Sequence, residues 1–281
     1  MAIGFIGLGN IGKPMARHLL ALNEALWVYD VAAAPVAELV AAGAKAAANP
    51  AELAEHCRYI GLCVRDEHDV ESLLQGPDGL LARARPDTLI AVHSTVPHTA
   101  ILRWVEQAAA AGKHLLDAPM TGGAGGAEAG TLCYMVGGDD ALIARARPLW
   151  ETSAGRIVHA GGAGAGIMAK LCNNLMTYAS FIAIHEAGKL ADAAGLSMEV
   201  LNQVGEANGV IPPQMRAYVN NRRLVEEKGG AAALDAVMGP HGRLGNKDLD
   251  AALQCAAALQ VELPVTRLNR TLVEDVFLNK I

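Results

Sequence analysis

Residues 2–20 read AIGFIGLGNIGKPMARHLL. A short apolar run meets Gly7-Leu8-Gly9-Asn10-Ile11-Gly12, and a helix-compatible stretch follows at once. A GxGxxG pattern alone is weak. Placed between a strand and a helix, it is the turn that opens a doubly wound α/β sheet. Gly7 and Gly9 allow the tight turn and the close approach of a pyrophosphate, and Gly12 allows the helix to pack on the strand. The helix N-terminus offers N–H donors and a dipole that favours phosphate. A second apolar run, LWVYD, ends on Asp30, roughly 20 residues further on, where a carboxylate takes the ribose diol. That carboxylate would repel a 2′-phosphate, and no arginine follows in DVAAAP (30–35). The stretch therefore predicts a dinucleotide site that prefers NAD over NADP. The alternative readings are a plain strand–helix turn and a solvated strand end.

Outward from this stretch, residues 1–160 alternate short apolar runs with helical segments. Candidate strands are AIGFIG, ALWVYD, AKAAA, YIGLCV, TLIAVHS, KHLLDAP, TLCYMVGG and RIVHAG. Candidate helices include PVAELVAAG, AELAEHC, HTAILRWVEQAAAAG and DDALIARARPLWETS, several starting near Asp, Asn or Thr and ending on Gly. This alternation predicts an α/β domain with a mainly parallel sheet. Glycines 161, 162, 164 and 166 then mark a joint. A long helix is expected over about 166–194, roughly 43 Å at about 1.5 Å per residue. Further helices are expected at 197–207 and near 212–227, 246–260 and 264–279. Residues 161–281 thus form a second, all-helical domain.

Composition narrows the function. Of 281 residues, 52% are hydrophobic and 19% charged, as in a folding globular chain. Aromatics are only 4% and the formal net charge is −6, which argues against a nucleic-acid platform. Cys57, Cys63, Cys133, Cys172 and Cys255 are scattered without a CxxC, so neither a disulfide framework nor a metal site is expected. Reduced thiols and the lack of an evident leader fit a cytoplasmic protein. The longest uncharged helical run, LCNNLMTYASFIAI, is short for a membrane span.

Three further stretches carry possible chemistry. HSTVP (93–97) ends a candidate strand, so Ser94 and Thr95 either reach a ligand at the strand end or cap the next helix. In DAPMTGGAGGAEAGTLCYMVGG (117–138), Thr121, Gly122 and Gly123 form either a small anion cradle or a flexible loop. The third is GGAGAGIMAKLCNNL (161–175), which puts Lys170, Asn173 and Asn174 on one side of an otherwise apolar helix. A polar stripe between packed helices is the bland reading, a ligand-covered face the other.

Together, GFIGLGNIGKPMARHL, HSTV, DAPMTGGAGGAEAGTL, GAGIMAKLCNN and NKDLDAAL, in that order, resemble the β-hydroxyacid dehydrogenase family, which includes 3-hydroxyisobutyrate dehydrogenase and tartronate semialdehyde reductase. The resemblance covers almost the whole chain. It implies a Rossmann-like domain, a long helix joining it to an all-helical domain, and a site in the cleft between them. It implies that Asn10, Ile11 and Asp30 hold the adenosine and pyrophosphate half of NAD. Val64 and Arg65 would contribute another cofactor loop, Thr95 would lie near the nicotinamide ribose, and Lys247 would approach the cofactor. Thr121, Gly122 and Gly123 would bind a substrate carboxylate. Lys170 would be the catalytic acid–base group with Asn174 beside it, Asn173 a weaker candidate that could cap a neighbouring loop, and Asp248 would face the substrate. The reaction implied is hydride transfer between a small β-hydroxy acid and NAD. A lysine near its ordinary pKa of about 10.4 is too basic for this, and desolvation beside a cationic ring would depress it.

Several features depart from that pattern. GEANGVIPPQMRAYVNNRRL (205–224) occupies the region that usually shapes substrate preference, and offers Asn208, Val210 and Ile211 with no aromatic beside them. His241 and Arg243 precede Lys247 in MGPHGRLGNKDL (238–249), read either as ligands for an anionic tail or as a surface loop. The relatives usually continue past the position of Ile281. Imine reductases of the same fold usually lack the lysine and prefer NADP. A non-catalytic NAD-binding module would not need the lysine, Asn174 and the Thr121 cradle together. The long apolar helix predicts a homodimer or homotetramer assembled through the helical domain.

Overall fold

The computed structural model describes residues 2–281. Its contacts divide into two compact units, one ending at Lys170 and the other running from Leu171 to Ile281. The first begins with β1 (Ile3–Ile6), α1 (Gly12–Leu19), β2 (Leu26–Tyr29), α2 (Ala33–Ala41), β3 (Lys45–Ala46), α3 (Pro50–His56), β4 (Tyr59–Leu62), α4 (Glu67–Leu74), α5 (Leu80–Arg83), β5 (Leu89–Val92), α6 (His98–Ala110) and β6 (His114–Asp117). These strands lie in the order β3-β2-β1-β4-β5-β6, with every pairing parallel. The chain moves outward from β1 in one direction and restarts at β4 in the other. The switch point therefore falls at the C-terminal end of β1, where the glycine turn lies, and ligands gather at such points.

The sheet continues through β7 (Met120–Thr121), α7 (Gly123–Ala129), β8 (Leu132–Gly137), α8 (Asp140–Trp150) and β9 (Ala154–Gly161). Here β8 runs antiparallel to β6 and β7, and β9 parallel to β8. The two-residue β7 and the short α7 replace the flexible loop that the glycines of 117–138 suggest. Pairing of Thr121 with Cys133 across to β8 is what orders the segment.

Side chains of each central strand alternate between two cores. Leu89 and Ala91 join Phe5, Val28 and Trp150 on one face, while Ile90 and Val92 join Ile6, Leu62 and Trp104 on the other. Burial on both faces is why these strands read as unbroken apolar runs. Asn49, Asp66 and Asp139 start α3, α4 and α8 by accepting hydrogen bonds from first-turn amides.

α9 (Ala165–Ala193) matches the expected long helix to within a residue, and α10 (Met198–Ala207) and α12 (Pro264–Phe277) also stand where the sequence puts helices. By length and hydropathy alone, α9 could cross a membrane; a third of its most apolar window is buried within the structure. α11 (Pro213–Ala258) is two helices end to end, broken at Gly230 with φ of 64°. Its second half corrects the sequence reading, since 231–245 is helical despite Pro240 and three glycines. Leu234, Met238 and Leu249 pack into a core with Val273, Val276 and Phe277 of α12. A Cβ at Gly242 would stand 3.1 Å from Glu274 Cα, so the glycines serve close helix approach rather than a loop. His241 and Arg243 are thus helical residues, not a surface loop, and the His241 ring stacks near Phe277 with centroids 6.3 Å apart. Tertiary packing has overridden weak helix propensity.

Candidate active site

In the first unit, the glycine turn, Asp30, Val64 and Thr95 follow the C-terminal ends of β1, β2, β4 and β5, four neighbouring strands of the parallel sheet. Asp30 anchors the turn. One carboxylate oxygen accepts from Leu8 N at 2.6 Å and the other from Ala32 N at 2.7 Å. A Cβ at Gly12 would stand 2.0 Å from Gly7 O, so only glycine closes the turn onto the strand. A Cβ at Gly9 would meet nothing within 4 Å, and Gly9 and Asn10 are exposed. No side chain caps α1 at Ile11. An open glycine, an uncapped helix start and a carboxylate at the next strand end fit a dinucleotide pyrophosphate and ribose.

Other members of that set hold one another. Ser94 is buried, accepts from Val64 N at 2.9 Å and donates to Val64 O at 2.8 Å. It clamps β4 to β5, and α6 starts after Pro97 with no side-chain cap. Ser94 does not cap α6; its hydroxyl bonds the backbone of Val64, just past β4. Thr95 is half-buried. Arg65 is exposed, and its guanidinium grips Asp69 through two bonds of 2.8 Å, which hold the Asp69 carboxyl below its usual range. Thr121 is half-buried, and Gly122 and Gly123 follow it with φ of 129° and 64°, exposed at the start of α7. His18 of α1 secures the far end of α7 by donating to Ala127 O at 3.0 Å.

The second group lies along α9 and the second half of α11. Lys170 is half-buried and Asn174 follows one turn later. Asn174 is buried, and its amide donates to Asp248 Oδ2 at 2.8 Å. Tyr178, another turn on, donates to the same oxygen at 3.1 Å. Lys247 Nζ lies 3.1 Å from Asp248 Oδ1. Asp248 itself is 3% exposed. Burial and then the adjacent Asp248 carboxylate raise the Tyr178 phenol well above its normal range, keeping it a neutral donor. Asn173 is half-buried, and among the described residues its amide reaches only Asn174 Oδ1, at 3.4 Å, and caps no neighbouring loop.

Comparison with known proteins fits this geometry. Residues 2–162 match the NAD binding domain of 6-phosphogluconate dehydrogenase. The 3-hydroxyisobutyrate dehydrogenase of Pseudomonas aeruginosa is 37% identical over 96% of this chain and 90% of its own length. The NAD-dependent L-serine dehydrogenase of the same organism is 41% identical over 72% of this chain and 68% of its own. A solved Mycobacterium tuberculosis 3-hydroxyisobutyrate dehydrogenase with L-serine superposes with a TM-score of 0.80 at 31% identity, covering 97% of this chain and 92% of that one. The chain belongs to the β-hydroxyacid dehydrogenase family. It is an oxidoreductase acting on the CH–OH group of a hydroxy acid, and its first unit is the nicotinamide-dinucleotide domain.

Two residues of this dehydrogenase escaped the sequence reading. Tyr178 continues the Lys170–Asn174 face at the next i+4 step, so helical spacing alone could have found it. Asp117 had no such signal. It is fully buried, and its carboxylate accepts from Gly164 N at 2.8 Å and Ile167 N at 2.7 Å, residues some fifty positions away in sequence. It therefore caps the start of α9, about one turn before Lys170. Burial raises its pKa, partly opposed by those amide bonds. A Cβ at Gly166 would stand 2.4 Å from Met135 O, so the first turn of α9 lies directly on the backbone of β8.

Proposed function

We propose that this dehydrogenase interconverts a small β-hydroxy acid with its aldehyde or keto acid, using NAD in preference to NADP, with Lys170 as the general acid–base group. The observation that carries the reading is the polar face of α9. Asn174, one turn from Lys170, is buried and locked onto Asp248, which Tyr178 and Lys247 also hold. Buried polar groups bonded to one another in this way are fixed in orientation, and that order is suited to holding a reacting group in place. The dinucleotide, when bound, supplies the hydride acceptor or donor. Lys170, as the free amine, takes the hydroxyl proton during oxidation and returns it during reduction. Asn174 has its amide N–H committed to Asp248, and its Oδ1, met by the Asn173 amide only at 3.4 Å, has a second lone pair to orient the lysine amine or the substrate hydroxyl. Thr121 and the amides at Gly122 and Gly123 hold the carboxylate. Asp30 supports the NAD preference, because a 2′-phosphate would meet a carboxylate already fixed by two backbone amides.

The test is reduction of NAD and of NADP by 3-hydroxyisobutyrate, L-serine, glycerate and 3-hydroxypropionate at alkaline pH, with wild type and Lys170→Ala compared. The expected result is turnover with NAD on part of the panel, lowered by roughly 100- to 10,000-fold in the variant while NAD still binds. Near-normal turnover in Lys170→Ala would remove the lysine from the mechanism, and tighter binding of NADPH than NADH would overturn the role of Asp30.

The same reading extends to assembly. In the helical unit Leu190, Val204 and Leu268 are each more than half exposed. This supports a homodimer or homotetramer formed through that unit; we further propose, from composition alone, that it acts on a small carboxylate in the cytoplasm and engages neither nucleic acid nor membrane. A monomeric mass by light scattering at micromolar concentration would refute the assembly.

A further inference from the structure

The sequence of α7 is GAGGAEA, and three of its seven residues are glycine, among the weakest helix formers. A helix this short does not stand alone in water. It starts at Gly122 without a side-chain cap, and among the described residues only Ala127 of this helix is buried. Its order therefore depends on what grips its two ends. At the start, Thr121 pairs with Cys133 of β8, and the turn lies against Leu132, whose Cδ2 would stand 3.1 Å from a Cβ at Gly122. At the far end, the last carbonyls of a helix lack intrahelical donors, and half-buried His18 of α1 supplies one. His18 Nε2 lies 3.0 Å from Ala127 O and 3.2 Å from Glu128 O. Carbonyl oxygens only accept, so Nε2 carries the proton in either charge state of the ring and shares it between both. The ring also lies on the turn that follows, since a Cβ at Gly130 would stand 3.4 Å from His18 Cε1.

The same α1 opens at the dinucleotide turn, and α7 begins where Thr121, Gly122 and Gly123 are assigned to the substrate carboxylate. We propose that His18 is a positioning residue for the substrate: by pinning the end of α7 to α1, it keeps the turn at Thr121–Gly123 in the shape that takes the carboxylate. The inference rests on the reading of those three residues as the carboxylate cradle. Gly122 and Gly123 hold φ of 129° and 64°. Glycine leaves such conformations as readily as it enters them, so the turn keeps its shape only while the helix after it is held. The carboxylate is a handle beside the reacting CH–OH group. Loosening its seat weakens the ground state and the transition state alike, so the loss falls on KM and spares kcat.

Two variants of the full-length protein separate the hydrogen bond from the packing of the ring. His18→Phe keeps an aromatic ring and removes the donor; His18→Gln keeps an N–H at similar reach and removes the ring. KM and kcat are measured at saturating NAD with the acid of the panel above that wild type oxidises fastest, and amide hydrogen exchange is followed over residues 123–131. His18→Phe is expected to raise KM roughly tenfold or more with kcat changed by less than about threefold. Its exchange over 123–131 should quicken roughly tenfold or more, as local opening of a less anchored segment does. His18→Gln should restore both toward wild type. If His18→Phe does not fold, His18→Ala takes its place. Unchanged exchange or KM in the folded variant lacking the donor, a loss in kcat instead of KM, or equal losses in His18→Phe and His18→Gln would each overturn the role of His18. Thr121→Ala separates this from the cradle itself. If it raises KM while His18→Phe does not, the cradle stands and the role of His18 falls. If neither variant changes KM, or wild type oxidises no acid of the panel, the cradle reading falls and this inference with it.

Discussion

Asp117 and Asp248 are both almost inaccessible carboxylates that act on α9, and they are satisfied in opposite ways. Asp117 receives backbone amides at Gly164 and Ile167. Asp248 receives side chains: the Asn174 amide and the Tyr178 hydroxyl both bond Oδ2, and the Lys247 ammonium lies 3.1 Å from Oδ1 without a hydrogen bond to it. Backbone donors are present whatever the residue type, so Asp117 fixes where a helix begins. Side-chain donors exist only because particular residues were placed there, so Asp248 fixes how particular groups point. One acid is architecture and the other is the proposed chemistry, although burial alone does not tell them apart.

The sharpest way to break that contrast is Asp248→Asn. The substitution keeps the shape but removes the charge that orients Asn174, Tyr178 and Lys247. Turnover is expected to fall roughly 10- to 100-fold, as misplacement of a reacting group does. Tyr178→Phe deletes one of the two hydrogen bonds and should give a smaller loss in the same direction. If kcat were untouched in Asp248→Asn while the melting temperature dropped, Asp248 would belong with Asp117.

Asp117→Asn is the mirror experiment. One amide N–H at the start of α9 would face an NH2 group, at about 1–3 kcal/mol of stability for the unsatisfied donor. Thermal denaturation reads this directly, and turnover of the remaining folded enzyme should change less than in Asp248→Asn. A larger effect on turnover than on stability would move Asp117 from architecture to catalysis.

A gentler test uses pH on the architectural side. Trp150 donates to Tyr59 OH at 2.8 Å, and that hydroxyl donates to His93 Nε2 at 3.2 Å, the unprotonated nitrogen of a neutral ring. His93 Nδ1–H then donates to Ala118 O at 2.8 Å, beside Asp117. Burial lowers the His93 pKa to about 4 from an ordinary 6.5. The unfolded chain therefore binds a proton that the folded chain refuses between those two values. Stability contributed by the neutral ring is fully present above pH 6.5, falls as pH drops toward 4, and levels below it. His93→Phe should flatten the stability curve over that window, even though it lowers stability overall by leaving Tyr59 and Ala118 without their partner. An equal slope in wild type and variant would mean that other groups carry the acid response.

How much of this was legible beforehand depended on the range of the interaction. The glycine turn, Asp30, the α9 face with Lys170 and Asn174, and the limits of α9 all follow from spacing within one or two elements. Tyr178 obeys the same spacing and was within reach. Residues 231–245 were not, since Pro240 and the glycines argue locally for a loop and only contact with Val273, Glu274 and Phe277 makes a helix there the better solution.

By itself, then, the sequence determined the order of strands and helices, the dinucleotide turn with its acidic partner, and the polar face on α9, because period and short-range sterics are properties of the local chain. Tertiary structure alone decided that Asp117 caps a helix about fifty residues later, that the Ser94 hydroxyl bonds the Val64 backbone, and that Asp248 gathers the Asn174 amide and the Tyr178 hydroxyl. Such partners are chosen by which buried polar groups folding brings within about 3 Å of each other, and no local pattern encodes that distance.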